Sequence, residues 1–165
     1  MVESLVESEA TSTLVIGIGN RQRKDDAAGL AVVDQLRDEA LDGVELVEHS
    51  GEAASLMDLW QGREVLVIDA TSSGQPAGTI RRVDLLEEQL ADEVLATCSS
   101  HAFGLAQAVE LGRALGELPP RLVLYGIEGA DFSHGEGLSG AVEEAVEEVV
   151  GEVASEVGSG ASEAP

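Results

Sequence analysis

A chain of 165 residues with 32 acidic and nine basic side chains, for a formal net charge of -23, presents a surface that repels nucleic-acid phosphates, which excludes a nucleic-acid partner from the expectations. No apolar run approaches the roughly 18 residues of a membrane span, and no basic segment followed by an apolar stretch opens the chain as a secretory signal would. Aromatics make up 2% of the chain and Cys98 is its single cysteine, so the expectation is one cytoplasmic domain, with an aliphatic core, no disulfide framework and no membrane partner.

Residues 1–12 are acidic, small and aperiodic and read as a disordered leader. Leu14-Val15-Ile16 reads as a buried strand that ends in Gly17-Ile18-Gly19-Asn20. The chain then crosses a basic loop, Arg21 to Lys24, and reaches Asp25-Asp26 just before a helical pattern begins at Ala27. The glycines permit a sharp exit from the strand, and the acidic pair falls where a helix N-terminus exposes N–H groups. Capping accounts for one aspartate. A second beside it calls for solvent or a cation to separate two like charges. Phosphate-binding motifs do not fit: Gln22 stands where GxGxxG needs its third glycine, acid follows where a pyrophosphate would lie, and no GK[ST] is present.

Leu30, Val33, Leu36 and Leu41 mark the apolar stripe of a first helix, with Asp34, Gln35, Arg37, Asp38 and Glu39 turned mostly to water. A turn at Asp42-Gly43 leads into VELVEH, a strand ending at His49, and 52–60 reads as a second helix. The segment EVLVIDA, 64–70, has four consecutive apolar residues of high β-propensity, as a central parallel strand buried on both faces requires. Its Asp69 is thereby carried to the sheet's carboxyl edge, where open α/β sheets place their chemistry. Residues 71–78 read as a loop, 79–83 as a short edge strand suited by Arg81-Arg82, and 84–90 as helical, while 91–97 fits neither pattern. Ser100 suits an N-cap, placing His101 in the first turn of a helix running to about Leu115. A helix N-terminus disfavours imidazolium, and neutral imidazole is the form that ligates metal. Pro119-Pro120 close that helix, 121–127 is another buried strand, and 129–137 is a loop containing Asp131, His134 and Glu136. Apolar residues then recur at helical spacing from Leu138 to Val153, with glutamates opposite. These elements predict an α/β single domain over 13–157, a three-layer sandwich with a mostly parallel twisted sheet of about five strands flanked by helices, followed by a disordered tail, 158–165.

Asp26, Asp69 and His101 each occupy a strand end or helix start, and such ends gather on one rim of an α/β sheet. Two carboxylates and one neutral imidazole form a mixed oxygen and nitrogen set that suits a borderline divalent ion such as nickel or zinc and leaves coordination positions open. A serine nucleophile built from Ser99-Ser100-His101 is set aside, because adjacent residues rarely form a nucleophile and base pair and no GxSxG elbow exists. His49 and His134 are near loops that could reach the same rim, and the reading preferred for both is an ordinary surface histidine.

The segment GIGN, four residues, DD, two residues and Gly29 resembles the opening of the [NiFe]-hydrogenase maturation endopeptidases, which typically read G[VIL]GNxxxxDDGxG; Ala27 stands here where glycine is usual. VLVIDA, SSHAFGLAQAVEL, RLVLYGIEG and LSGAVEEAVEEVV are similar to later segments of that family, so the resemblance spans 13–153. HSGEAAS departs from it, Glu52 falling where many members have DGGT, which bears on substrate contacts by that loop. Peptidyl-tRNA hydrolases share the first turn but continue with Pro and Gly and supply a catalytic His. Arg21-Gln22, and no His before His49, set this chain apart from them.

The resemblance implies a metal-dependent endopeptidase that removes the C-terminal extension of a nickel-loaded [NiFe]-hydrogenase large-subunit precursor. Asp26, Asp69 and His101 would be both metal ligands and catalytic residues, and Asp25 would orient a ligand or accept a proton. The nickel is carried by the substrate, with zinc or cadmium able to occupy the same place. The alternative is a non-catalytic nickel-sensing chaperone or scaffold for the same precursor.

Carboxylates in such excess repel one another in dilute buffer and are screened in salt. The melting temperature should therefore rise from low to molar KCl, and a flat or falling midpoint in a thermal melt would overturn this.

Overall fold

The computed structural model describes residues 13–98 and 102–163. Strands β1 (Thr13–Ile18), β2 (Val44–His49), β3 (Glu64–Thr71), β4 (Ile80–Asp84) and β5 (Arg121–Glu128) form one sheet in the order β2-β1-β3-β5-β4. All neighbouring pairs are parallel except β4, which lies antiparallel along β5 at the edge. Helices α1 (Ala28–Leu36) and α5 (Gly140–Glu163) cover one face, and α2 (Ala53–Trp60), α3 (Glu88–Leu95) and α4 (Ala102–Leu115) the other. This is the α/β architecture expected.

Side-chain parity explains the two cores. Leu14 and Ile16, Val65 and Val67, and Leu122 and Leu124 face α2, α3 and α4, while Val15, Leu66, Ile68, Val123, Tyr125 and Ile127 face α1 and α5. Both sets are buried, so the central strands read as continuous apolar runs. Each such side chain contributes about 1.5–3 kcal/mol by leaving water. At the margins, β2 alternates exposed glutamates with half-buried residues, and β4 carries Arg81 and Arg82. Charges at both edges oppose pairing with another sheet. Among the described residues no helix is long and apolar enough to cross a membrane.

The chain leaves β1 through α1 to reach β2 on one side, then returns through α2 on the opposite face to reach β3 on the other side of β1. The carboxyl ends of β1 and β3 therefore flank a topological switch point, the crevice where open sheets bind ligands. The first turn of α1 seats into that crevice because residue 29 is glycine: a Cβ there would collide with the carbonyl oxygens of Ile68 and Ile18.

Several boundaries differ from expectation. Helix α3 starts at Glu88 rather than at residue 84, because the Asp84 side chain accepts the Leu86 N–H at 2.9 Å and its carbonyl accepts the Glu87 N–H, holding the chain in a turn. Helix α1 stops at Leu36; a 3-10 turn, Arg37–Glu39, and Ala40 at φ 51° divert the chain, and Leu41 packs against the core from beyond the helix. Helix α5 continues through Glu163, into the segment whose Gly and Ser content reads as a tail. Glu156 holds that part of α5 to the sheet, receiving hydrogen bonds from Arg82, Arg121 and the Tyr125 hydroxyl, so tertiary anchoring outweighs weak local propensity. The acidic leader, 1–12, lies outside the described residues.

Two glycine substitutions should move in opposite directions. Gly29→Ala should destabilise the fold by about 1–3 kcal/mol through overpacking. Gly151→Ala, in mid-helix with open space around it, should stabilise by about 0.5–1 kcal/mol. Urea unfolding measures both, and a neutral Gly29→Ala would show that α1 does not depend on the close approach.

Candidate active site

After β1 the chain makes a 3-10 turn, Lys24–Ala27, that begins with Lys24 in the left-handed region at φ 44°. Both aspartates of the turn are fully buried. Asp25 is committed to the loop after β5. Its Oδ2 accepts from the N–H groups of Ala130 (2.7 Å) and Asp131 (3.0 Å) and from the Ser139 hydroxyl (2.8 Å), and its Oδ1 accepts the Ser139 N–H (2.8 Å). Burial alone would raise its pKa, but these bonds outweigh it and hold the carboxyl below the ordinary range. The backbones are stitched as well. Lys24 N–H donates to the Gly135 carbonyl, Gly135 N–H to Gln22, and Asp25 N–H to Asp131. Since β3 lies between β1 and β5, the two loops meet across the end of β3.

Asp26 faces the switch point. Its N–H donates to the Arg23 carbonyl, and its own carbonyl lies so close to Gly19 that a Cβ on that residue would strike it. The second glycine of GIGN is thus the space into which the Asp26 backbone fits.

Asp69 comes to the same place from β3, with no exposed surface. Its Oδ1 accepts the Ala70 N–H at 2.8 Å, while Oδ2 is buried with no hydrogen-bond partner among the described residues. Burial first, and then the nearby Asp26 charge, push its pKa well above the carboxylate range against a smaller opposing pull from the Ala70 N–H. Orphaned carboxylate oxygens are uncommon in folded proteins, and this one sits where a ligand is expected.

His101 lies outside the described residues. The chain on either side of it is anchored at the rim, however. Cys98 bridges to Thr71 at the end of β3, Ser72 N–H donates to Thr97 (2.6 Å), and Gly104 meets the Gly51 carbonyl beyond β2 in a contact only glycine permits. Cys98 is buried near enough to Asp69 that burial and that charge together raise its thiol pKa well above the ordinary value. Among the described residues, no three His, Cys, Asp or Glu side chains gather as a metal-binding group.

One rim carboxylate was not singled out by the sequence. Glu128, the last residue of β5, is 3% exposed and accepts from the hydroxyls of Thr71 (2.8 Å) and Ser73 (2.7 Å) and the N–H groups of Ser73 (2.8 Å) and Gly74 (3.2 Å). As at Asp25, burial is outweighed by these bonds and the pKa falls. The signal that could have found it is the one that found Asp69, an acid closing a buried strand. His49 serves its own turn, with Nδ1 accepting the Gly51 N–H (2.8 Å) and Nε2 paired with Ser55 Oγ (2.9 Å). Glu52, in the segment that departs from the family pattern, caps α2 by accepting the N–H groups of Ala54 and Ser55. His134 is exposed.

The family model HycI, hydrogenase maturation protease, matches residues 31–156. The chain belongs to the hydrogenase maturation protease family. Within this family it is 31% identical over 134 residues to the hydrogenase 2 maturation protease of Escherichia coli K12, covering 79% of this chain and 80% of the relative. It is also 31% identical over 120 residues to the hydrogenase expression/formation protein HupD of Thiocapsa roseopersicina, covering 70% of this chain but 53% of HupD, so it spans about half the length of that relative. The solved structure of the hydrogenase maturating endopeptidase HybD from E. coli superposes with a TM-score of 0.73 at 26% identity, covering 86% of this chain and 89% of HybD.

A raised carboxyl pKa has a definite consequence for stability. Folded Asp69 holds its proton more tightly than the unfolded chain does, so its stabilising contribution is full below the ordinary carboxylate range and is lost as pH rises through the folded pKa. Asp69→Asn mimics the protonated form at every pH. Its melting temperature should exceed that of the native chain at neutral pH, with the gap closing on acidification. An unchanged or lower melting temperature at neutral pH would contradict this.

Proposed function

We propose that this chain is a cytoplasmic, metal-dependent endopeptidase that removes the C-terminal extension of a nickel-loaded [NiFe]-hydrogenase large-subunit precursor. The observation that carries the reading is Asp69: a fully buried carboxylate whose Oδ2 has no hydrogen-bond partner among the described residues, beside the buried Asp26 at the switch point. Two carboxylates confined this closely repel each other, and a divalent cation relieves the repulsion. His101 completes the set. The anchoring of Cys98 at β3 and of Gly104 beyond β2 supports its placement, and the donor chemistry suits nickel brought by the substrate, with zinc or cadmium as substitutes.

On this reading Asp26, Asp69 and His101 receive the precursor's nickel, and the ion supplies the positive charge that ties recognition to a metal-loaded substrate. Asp25 acts by position. Its bonds to residues 130, 131 and 139 hold the last loop across β3. Family membership supports the hydrolytic outcome over a scaffold that binds the precursor without cutting it.

Incubation of the purified chain with nickel-loaded precursor, followed by mass spectrometry, should show loss of mass at the precursor's C-terminus. Asp69→Ala and His101→Ala should each lower the rate by more than the roughly 10- to 100-fold expected for loss of an outer-shell partner, while remaining folded. A stable complex with intact precursor would favour the scaffold, and full activity in both variants would remove the metal-site assignment.

A further inference from the structure

We infer that Glu128 is a positioning residue for this site: its carboxylate, gripping Thr71, Ser73 and Gly74, fixes the end of β3 just beyond Asp69. The inference rests on the proposed endopeptidase reading for its consequence, but its geometry stands by itself.

Glu128 ends β5 in register with Thr71, the last residue of β3, two residues beyond Asp69 and on the same side of the strand. One carboxylate oxygen takes both hydroxyls, of Thr71 and Ser73, and the other takes both backbone N–H groups, of Ser73 and Gly74. All four bonds converge on 71–74, where β3 would otherwise fray into a loop rich in Ser and Gly. The backbone fixed in this way is also the one that holds the next piece of the site: Thr71 bridges to Cys98, and Ser72 N–H donates to the Thr97 carbonyl. A continuous hydrogen-bonded path therefore runs from Glu128 through 71–74 to Thr97 and Cys98, three residues before His101. Asp69 lies at the near end of that path, two residues before Thr71. Catalytic geometry is sensitive to displacements of about 1 Å, which are worth up to roughly 100-fold in rate. A carboxylate that locks the backbone just beyond Asp69 thus acts on the reaction without touching the substrate.

Hydrogen bonding, rather than charge, is the property the role requires. Glutamine can reproduce it, with its carbonyl accepting the two N–H groups and its amide donating to the two hydroxyls after they rotate. Alanine leaves all four donors unmet.

Glu128→Ala, Glu128→Gln and the native chain should be compared for kcat and KM on nickel-loaded precursor, and for hydrogen exchange at the Ser72 amide with no precursor present. In Glu128→Ala, kcat should fall roughly 10- to 100-fold with KM held and Ser72 exchange accelerated, while amides shared by β1 and β2 keep their protection. Glu128→Gln should recover most of both losses. Native kcat in Glu128→Ala, unaltered Ser72 exchange, or a Glu128→Gln as impaired as Glu128→Ala would each overturn the inference. Should Glu128→Ala not fold, Ser73→Ala removes a single donor from the same carboxylate and decides by the same two readouts, with a smaller effect. A native chain that does not cut the precursor refutes the proposed function, and the exchange measurement still decides the positioning role.

Discussion

Much of this molecule follows from placing a carboxyl group with few hydrogen-bond donors in the buried interior. Asp69 continues a strand whose preceding residues are aliphatic and buried on both faces, so it is delivered to the rim without solvent. One oxygen finds its neighbour's N–H, and the other finds no partner among the described residues. Desolvation of a charged group is among the most unfavourable local terms in folding, and here a second buried aspartate adds to it. The fold tolerates this only because the surrounding backbone is over-determined by contacts that do not involve Asp69 itself.

Those contacts come in matched form from either side. Asp25 secures the loop after β5, and Glu128 secures the loop after β3. Each is a buried carboxylate, and each is kept ionised by several N–H and hydroxyl donors, so the two rim acids held below their ordinary pKa are fasteners. Asp69, held well above it, has an oxygen left to offer. The same carboxyl group, within a few positions of the same sheet edge, is turned to opposite ends by the number of donors it meets. Glycine supplies the remaining constraint: α1 reaches the crevice between β1 and β3 because residue 29 has no side chain to obstruct it.

The layered architecture was readable from local pattern, because aliphatic runs of high β-propensity announce central strands and the acids that close them land on the carboxyl edge. β1, β3, β5 and the amphipathic α5 all follow from that logic. What local pattern could not supply was partnership across the chain. Asp25 looks like a helix cap, yet its donors come from residues 130, 131 and 139. Glu128 looks like the first residue of a loop, and becomes a fastener only when β5 is laid in register with β3. The delayed start of α3 turned on one side-chain bond from Asp84 to the Leu86 N–H, and the extra length of α5 on Glu156 finding three donors on the sheet. These outcomes depend on three-dimensional proximity, which spacing along the chain does not encode.

The lacing of the first loop to the last has a consequence for the order in which the protein comes into being. During synthesis the amino-terminal part emerges first, and the pairing of β2, β1 and β3 draws only on residues up to Thr71. The rim is different. Asp25 waits for partners more than a hundred positions downstream, which are present only after β5 has been made and has crossed to lie beside β3. A nascent chain halted midway has not yet made the donors that close over Asp25, so its acidic pair is completed only when the last crossover arrives.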